Sequence, residues 1–161
     1  MDEWVRYMNV VASLLKPGAA CEFGDYVHRY YNARDEPIDE DWQSLQVFKA
    51  VAKRKGFDMD CGNTIADYAH DLKFTDIKQH HFKIPATRWM VDTNPETFRM
   101  GYNNELTESL LHQNVMKRML QGTEYGDEEI KIFQDEFIGK LEATRHERYF
   151  PFVVTTARKP Q

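Results

Sequence analysis

Cysteine, glycine motifs and clustered positive charge are scarce in this chain, and each shortage removes a class of function. Cysteine occurs only at Cys21 and Cys61, too few for a disulfide framework and unconvincing as a zinc site. The six histidines are scattered. His80 and His81 are adjacent on an expected strand and point to opposite faces, so a metal site is not expected. Gly18 and Gly24 are isolated, and no G-x-G-x-x-G, Walker motif or nucleophile elbow occurs. No apolar stretch approaches the length of a membrane span, and Asp2 and Glu3 stand where a secretion signal would carry basic residues. Lysine and arginine number 21 against 26 acids, a formal charge of −5. Arg6, Arg29 and Arg34 are dispersed, and Lys53-Arg54-Lys55 reads as the basic end of a helix. This balance argues against nucleic acid or an anionic membrane as the main partner. A cytoplasmic protein with no bound cofactor or metal is the expectation.

What is present is a globular core. In 161 residues, 42% are hydrophobic and 13% aromatic, enough for one folded domain. Trp4, Met8, Val11, Leu14 and Leu15 recur at helical spacing over residues 2–15, and Pro17-Gly18 ends that helix. Residues 19–24 read as a strand apolar on both faces, as in a central parallel strand. A polar connection follows to Asp41. Trp42, Leu45, Phe48, Val51 and Ala52 mark a second helix. A third spans 64–72 with Asn63 as its N-cap. Residues 74–84 read as a strand, 86–102 as irregular, and 103–120 as a helix with Leu106, Leu110, Leu111, Val115, Met116 and Met119 inward. Ile130, Phe133, Phe137, Ile138 and Leu141 make 127–144 the cleanest helix. Residues 148–157 form the last strand, with Pro151 at its start or at a bulge.

Several short motifs stand in a fixed order: Leu14-Leu15-Lys16-Pro17-Gly18, Cys21-Glu22-Phe23-Gly24-Asp25, Phe74-Thr75-Asp76-Ile77, Lys83-Ile84-Pro85 with Trp89 and Asp92, and Val153-Val154 running to Arg158-Lys159-Pro160. In that order and spacing the chain resembles the C-terminal half of a class I S-adenosylmethionine methyltransferase of the fungal secondary-metabolism type. Nearly the whole chain is covered. Ala19 and Ala20 depart from the glycine and bulky aromatic usual there, and the cofactor-binding half has no counterpart. The resemblance implies an α/β, truncated Rossmann-like fold in one domain, 1–161, with a helical insertion at about 86–122. It implies a small mixed sheet ordered 19–24, 148–157, 74–84, with the last strand antiparallel between two parallel neighbours. The first strand then lacks its usual neighbour, and a homodimer through the 19–24 edge and helix 2–15 is the expected remedy.

Ligands in open α/β sheets sit beyond the carboxyl ends of parallel strands. One such end offers Asp25, Tyr26, His28, Tyr30 and Tyr31. The other offers Lys83, Arg88, Trp89 and Asp92, and His112 is placed to cover a pocket. Asp25, Tyr26 and His28 are the candidate proton donors and acceptors, joined by Glu22 if burial raises its pKa. The simpler reading has Asp25 capping a turn, His28 solvated, and Asp39-Glu40-Asp41 favouring a helix dipole. The expected function is a methyltransferase-like protein of natural-product biosynthesis that no longer methylates and instead cyclises, isomerises or eliminates on a small secondary-metabolite intermediate. The alternatives are a non-catalytic partner of a full-length methyltransferase or pathway enzyme, and the C-terminal piece of an ordinary methyltransferase.

Overall fold

Five helices and three strands follow one another in the computed structural model, which describes residues 3–92 and 94–161. They are α1 (Glu3–Leu14), β1 (Ala20–Tyr26), α2 (Gln43–Arg54), α3 (Cys61–Asp71), β2 (Thr75–Pro85), α4 (Phe98–Leu120), α5 (Asp127–Ala143) and β3 (Tyr149–Arg158). Short 3₁₀ turns at Arg88–Asp92 and Pro95–Thr97 lead into α4. The sheet order is β1-β3-β2, the order expected. β1 pairs antiparallel with β3, Ala20 opposite Arg158 and Tyr26 opposite Phe152. On the other side Thr75 Oγ1 donates to the Arg158 carbonyl and Gln79 Nε2 to Thr155 Oγ1, so β2 also runs against β3. Every hydrogen-bonded neighbour is antiparallel, and β1 and β2 run parallel to each other across β3.

The chain forms two compact units. One comprises Met1–His28, Lys55–Lys83 and Pro151–Gln161, and the other Arg29–Arg54 and Ile84–Phe150. The segment expected as a helical insertion lies wholly in the second.

In the first unit, Met8, Phe23, Ile65, Ala69, Phe74 and Ala157 form the core, with Trp4, Val11 and Leu15 of the expected α1 stripe against it. Leu14 is the exception at 80% exposed. β1 is less buried than its composition suggests. Only Phe23 is fully buried, and Ala20, Glu22, Gly24 and Tyr26 are exposed. One face meets α3, while the other is exposed. Cys21 is accordingly half-buried. α3 starts earlier than expected, at Cys61 after Asp60, so Asn63 lies inside the first turn and does not cap it. Pro151 sits within β3 and accepts a hydrogen bond from Val27 N at 2.9 Å.

In the second unit the α2 stripe packs as read, with Trp42, Leu45, Phe48, Val51 and Ala52 buried. α5 buries Ile130, Phe133, Phe137 and Leu141. α4 departs most. It begins five residues before the expected start, and Leu106, Leu110, Leu111 and Val115 face outward, at 56%, 61%, 60% and 39% exposed. Met116 faces inward as read, and Gly101, Glu108 and Leu120 join it.

Gly101 explains part of that rotation. A Cβ there would lie 2.3 Å from the Thr87 carbonyl oxygen, so the helix approaches the 86–88 backbone as only glycine allows. Gly101→Ala is expected to destabilise by ~1–3 kcal/mol despite a helix-propensity gain of about 1 kcal/mol, because the contact is with backbone that cannot swing aside. Urea titration of the two proteins reads the difference.

Candidate functional site

The residues proposed at the strand ends divide between the two units. In the first, strand alternation sends Asp25 to the helix-covered side and Glu22 and Tyr26 to the other. Asp25 Oδ1 accepts from the Tyr26 N–H at 2.7 Å, and Oδ2 accepts from the Cys61 thiol at 3.0 Å. It closes the end of β1 onto the start of α3. Burial and the Asp25 carboxylate push the Cys61 thiol far above its ordinary value, which disfavours the reactive thiolate. Tyr26 is 44% exposed and its ring meets Phe152 at 4.9 Å. His28 is part-buried; its backbone N–H and its ring Nδ1 both meet the Met59 carbonyl at 3.0 Å, so the imidazole pins a loop. Lys83 is exposed at the end of β2. Glu22, a candidate acid only if buried, is exposed on the uncovered side of an edge strand. These groups do not form one constellation.

The second unit does bring candidates together. Asp39 is buried, accepts from the Tyr30 N–H at 3.0 Å and lies 3.5 Å from Arg29 Nε. The acid read as a helix-dipole partner therefore holds the Tyr30 backbone. Trp42 stacks on the Tyr30 ring at 5.0 Å, and Phe137 and Phe150 close around it. Between them the phenol reaches His112 Nε2 at 3.1 Å, and Phe137 stacks on the imidazole at 4.9 Å. Tyr31 instead stacks on Tyr149 at 5.5 Å and serves the backbone bridge to that residue.

One helical turn before His112 stands Glu108, 6% exposed. Its Oε2 accepts from Arg148 Nη2 at 2.5 Å. Arg148 is 3% exposed. Its Nη1 donates to the Leu141 carbonyl at 2.6 Å and to Thr144 Oγ1 at 3.0 Å, which ties it to the end of α5. Its guanidinium lies 5.6 Å from the Tyr30 ring centroid. Trp89 Nε1 donates to the Arg148 carbonyl at 2.8 Å, so Trp89 braces the site from behind. Arg88 is exposed and forks onto Glu105 at 2.7 and 3.2 Å. Asp92 ends the 3₁₀ turn, and its side chain lies outside the described residues.

A cavity of about 100 Å³ opens beside this pair, lined by Thr87, Glu105, Glu108, Ser109, Leu141 and Arg148 among others. Three buried atoms of its lining residues, Glu108 Oε1, Arg148 Nε and Thr87 Oγ1, have no hydrogen-bond partner among the described residues. Buried polar atoms are nearly always paired. One acceptor and two donors beside a cavity are the complement of a polar ligand. A wider depression of about 360 Å³ lies by Arg29, Asp39, Glu40 and Lys49, but there Arg29 already bridges Glu40 at 2.8 Å.

Burial pushes the Glu108 carboxyl up from its ordinary value, against the pull of Arg148. Burial, then the Glu108 charge, pushes the Tyr30 phenol well up. A carboxyl whose folded pKa is raised binds its proton more tightly in the folded state, so stability falls as pH rises from the ordinary carboxylate range to the raised value. Thermal unfolding across that window should show a downward slope that is shallower in Glu108→Gln. Equal slopes would mean that Glu108 does not titrate there.

Glu108, Arg148 and Thr87 were not singled out from sequence, and Asp39 only as a helix-dipole partner. The available signal was a polar stripe, Glu105, Glu108, Ser109 and His112, at helical spacing opposite the leucines. No group of three metal-ligating side chains occurs among the described residues. The positive-φ glycines are Gly18, Gly56 and Gly122; the first precedes β1 and the others follow α2 and α4, so none opens a phosphate- or nucleoside-binding turn after a strand. Among the described residues no helix is long and apolar enough to cross a membrane.

No protein-family model and no curated protein matches the chain. Among solved structures it is similar to phosphoethanolamine N-methyltransferase 2 of Haemonchus contortus, in complex with phosphomonomethylethanolamine and S-adenosylhomocysteine. Identity is 15% and the TM-score 0.43, over all of this chain and 31% of that one. The chain thus spans about a third of that enzyme's length.

Proposed function

We propose that the second unit is an acid–base catalyst that isomerises a small carbonyl-containing metabolite without a methyl donor. The observation that carries this is the Glu108–Arg148 pair, buried and hydrogen-bonded on one side and presenting an unpartnered carboxylate oxygen and guanidinium N–H on the other. The substrate carbonyl oxygen accepts from Arg148 Nε and Thr87 Oγ1. Glu108 Oε1 takes a proton from the adjacent carbon, the C–H electron pair moves into the enolate, and the negative charge collects on the oxygen that Arg148 faces. Where the substrate carries a carbon–carbon double bond β,γ to its carbonyl the enolate is a dienolate, and the same carboxylic acid returns the proton to its γ-carbon, moving the double bond into conjugation. Atoms and electrons balance with no co-reactant.

The Tyr30 phenol, which meets His112 Nε2, also bonds the Glu108 carboxyl and favours its ionised form, so it positions the base. A cavity of this size admits only the reacting end of a substrate, because drug-sized sites run to about 300–1,000 Å³. The methyltransferase-like motif order supports a secondary-metabolite substrate class, while ancestry leaves the reaction to be set by the site.

The full chain should be incubated in deuterium oxide with a small-molecule extract of its source organism, with and without S-adenosylmethionine, and followed by mass spectrometry. The expected result is a metabolite that gains deuterium or changes retention at constant composition, equally in both arms. Products gaining a methyl group only with the donor would establish ordinary methyl transfer instead. No change in either arm would remove the catalytic reading.

A further inference from the structure

The two outer edges of the sheet are built differently. β2 is a defended edge: Asp76 takes a left-handed conformation at φ 52, Lys78 and Lys83 are exposed along it, and it ends on Pro85. Kinks, lysines and prolines at an edge prevent strand addition. β1 has none of these. Its seven residues contain no proline and no left-handed residue, and its only exposed charge is Glu22.

The register identifies which backbone groups that edge offers. Lys159 N donates to the Ala19 carbonyl at 2.9 Å, and Val27 N donates to the Pro151 carbonyl at 2.9 Å. In an antiparallel ladder the bonded positions alternate, so Cys21, Phe23 and Asp25 point their N–H and C=O groups at β3. Ala20, Glu22 and Gly24 point theirs away from it. No strand pairs with that side among the described residues. Beside it, Tyr7, Val10 and Leu14 of α1 fall on one helix face and are 54%, 53% and 80% exposed. The Tyr7 ring lies 6.4 Å from that of Phe23, which sets this apolar stripe alongside the strand.

We infer that β1 pairs with β1 of a second copy of this chain about a two-fold axis through Phe23, extending the sheet to six strands. Phe23 is the midpoint of β1, so this register overlaps the whole strand. It sets Glu22 opposite Gly24 of the second copy and Ala20 opposite Tyr26. The outward-pointing residues meet each other, and no charge faces its own kind. Shifting the axis to Glu22 would oppose two carboxylates, which destabilises cross-strand pairs. Each α1 stripe then lies beside the new seam. An isologous pairing of this kind closes after two copies.

Light scattering on the full chain at micromolar concentration tests this. The wild type should have the mass of two chains. Glu22→Pro removes an N–H that points away from β3, so the native ladder survives and the mass should fall to one chain with an unchanged far-ultraviolet spectrum. Should that variant unfold, Val10→Glu with Leu14→Lys on the exposed face of α1 decides the matter by the same fall in mass. Leu110→Lys on the outward face of α4 should leave the dimer intact. A single-chain mass for the wild type, a dimer that survives the edge variants, or dissociation by Leu110→Lys alone overturns the proposal.

Discussion

Arg148→Ala is expected to destabilise the protein by ~3–5 kcal/mol, lowering the unfolding temperature by on the order of 10 °C. The size follows from what remains. Arg148 is the partner of a carboxylate that is 6% exposed, and removing one member of a buried ion pair strands the other. It also satisfies the Leu141 carbonyl, near the end of α5, where the chain's own N–H groups no longer reach every acceptor. An apolar replacement of the pair, Glu108→Leu with Arg148→Met, removes the stranded charge but not the orphaned carbonyl. About half of the loss should therefore return, by the asymmetry between breaking a buried pair and replacing it. Thermal and urea unfolding of the three proteins measure it. A single variant within about 1 kcal/mol of wild type would show that water reaches Glu108 freely, since surface pairs contribute no more than that.

The strands and α5 were legible because their signals are local. Ile130, Phe133, Phe137 and Leu141 leave one face for the core, and the structure uses it. The order β1-β3-β2 followed from the motif order. α4 was misread because apolar residues occupy two sides of the helix, and periodicity cannot choose between them. The choice is made by Gly101, which must meet the Thr87 backbone. That contact turns Leu106 and Leu110 outward and Glu108 inward. β1 was misread in its faces alone: Ala-Ala-Cys-Glu-Phe is apolar enough for burial on both, but the side that carries Glu22 is exposed.

The candidate site was half legible. Tyr30 and His112 were named, but as pocket walls. Glu108 and Arg148 lie 40 residues apart and meet only through tertiary packing, so neither spacing nor motif could join them. Asp39 looked like an ordinary acid before a helix, and its role at the Tyr30 backbone depends on the turn between them.

Glu108→Gln should lower turnover ~10²–10⁴-fold, the usual contribution of a positioned acid or base, with little change in KM. Glutamine keeps the volume of glutamate, and its carbonyl oxygen can still accept from Arg148. The cavity-facing position becomes an amide that can neither take a proton from carbon nor return one. Binding through Arg148 Nε and Thr87 Oγ1 persists, so the loss falls on the chemical step. Tyr30→Phe should give a smaller fall and move the acidic limb of the pH–rate profile up, because the phenol's hydrogen bond, which favours the ionised Glu108 carboxylate, is lost while Glu108 stays in place. A purely structural role for the buried pair makes the opposite forecast: Glu108→Gln would leave turnover intact, and only the Arg148 variants would matter, through folding. Steady-state kinetics across the pH range, on proteins first matched for folded fraction, separate the two. Glu108→Gln at wild-type turnover would return this network to the architecture of the second unit.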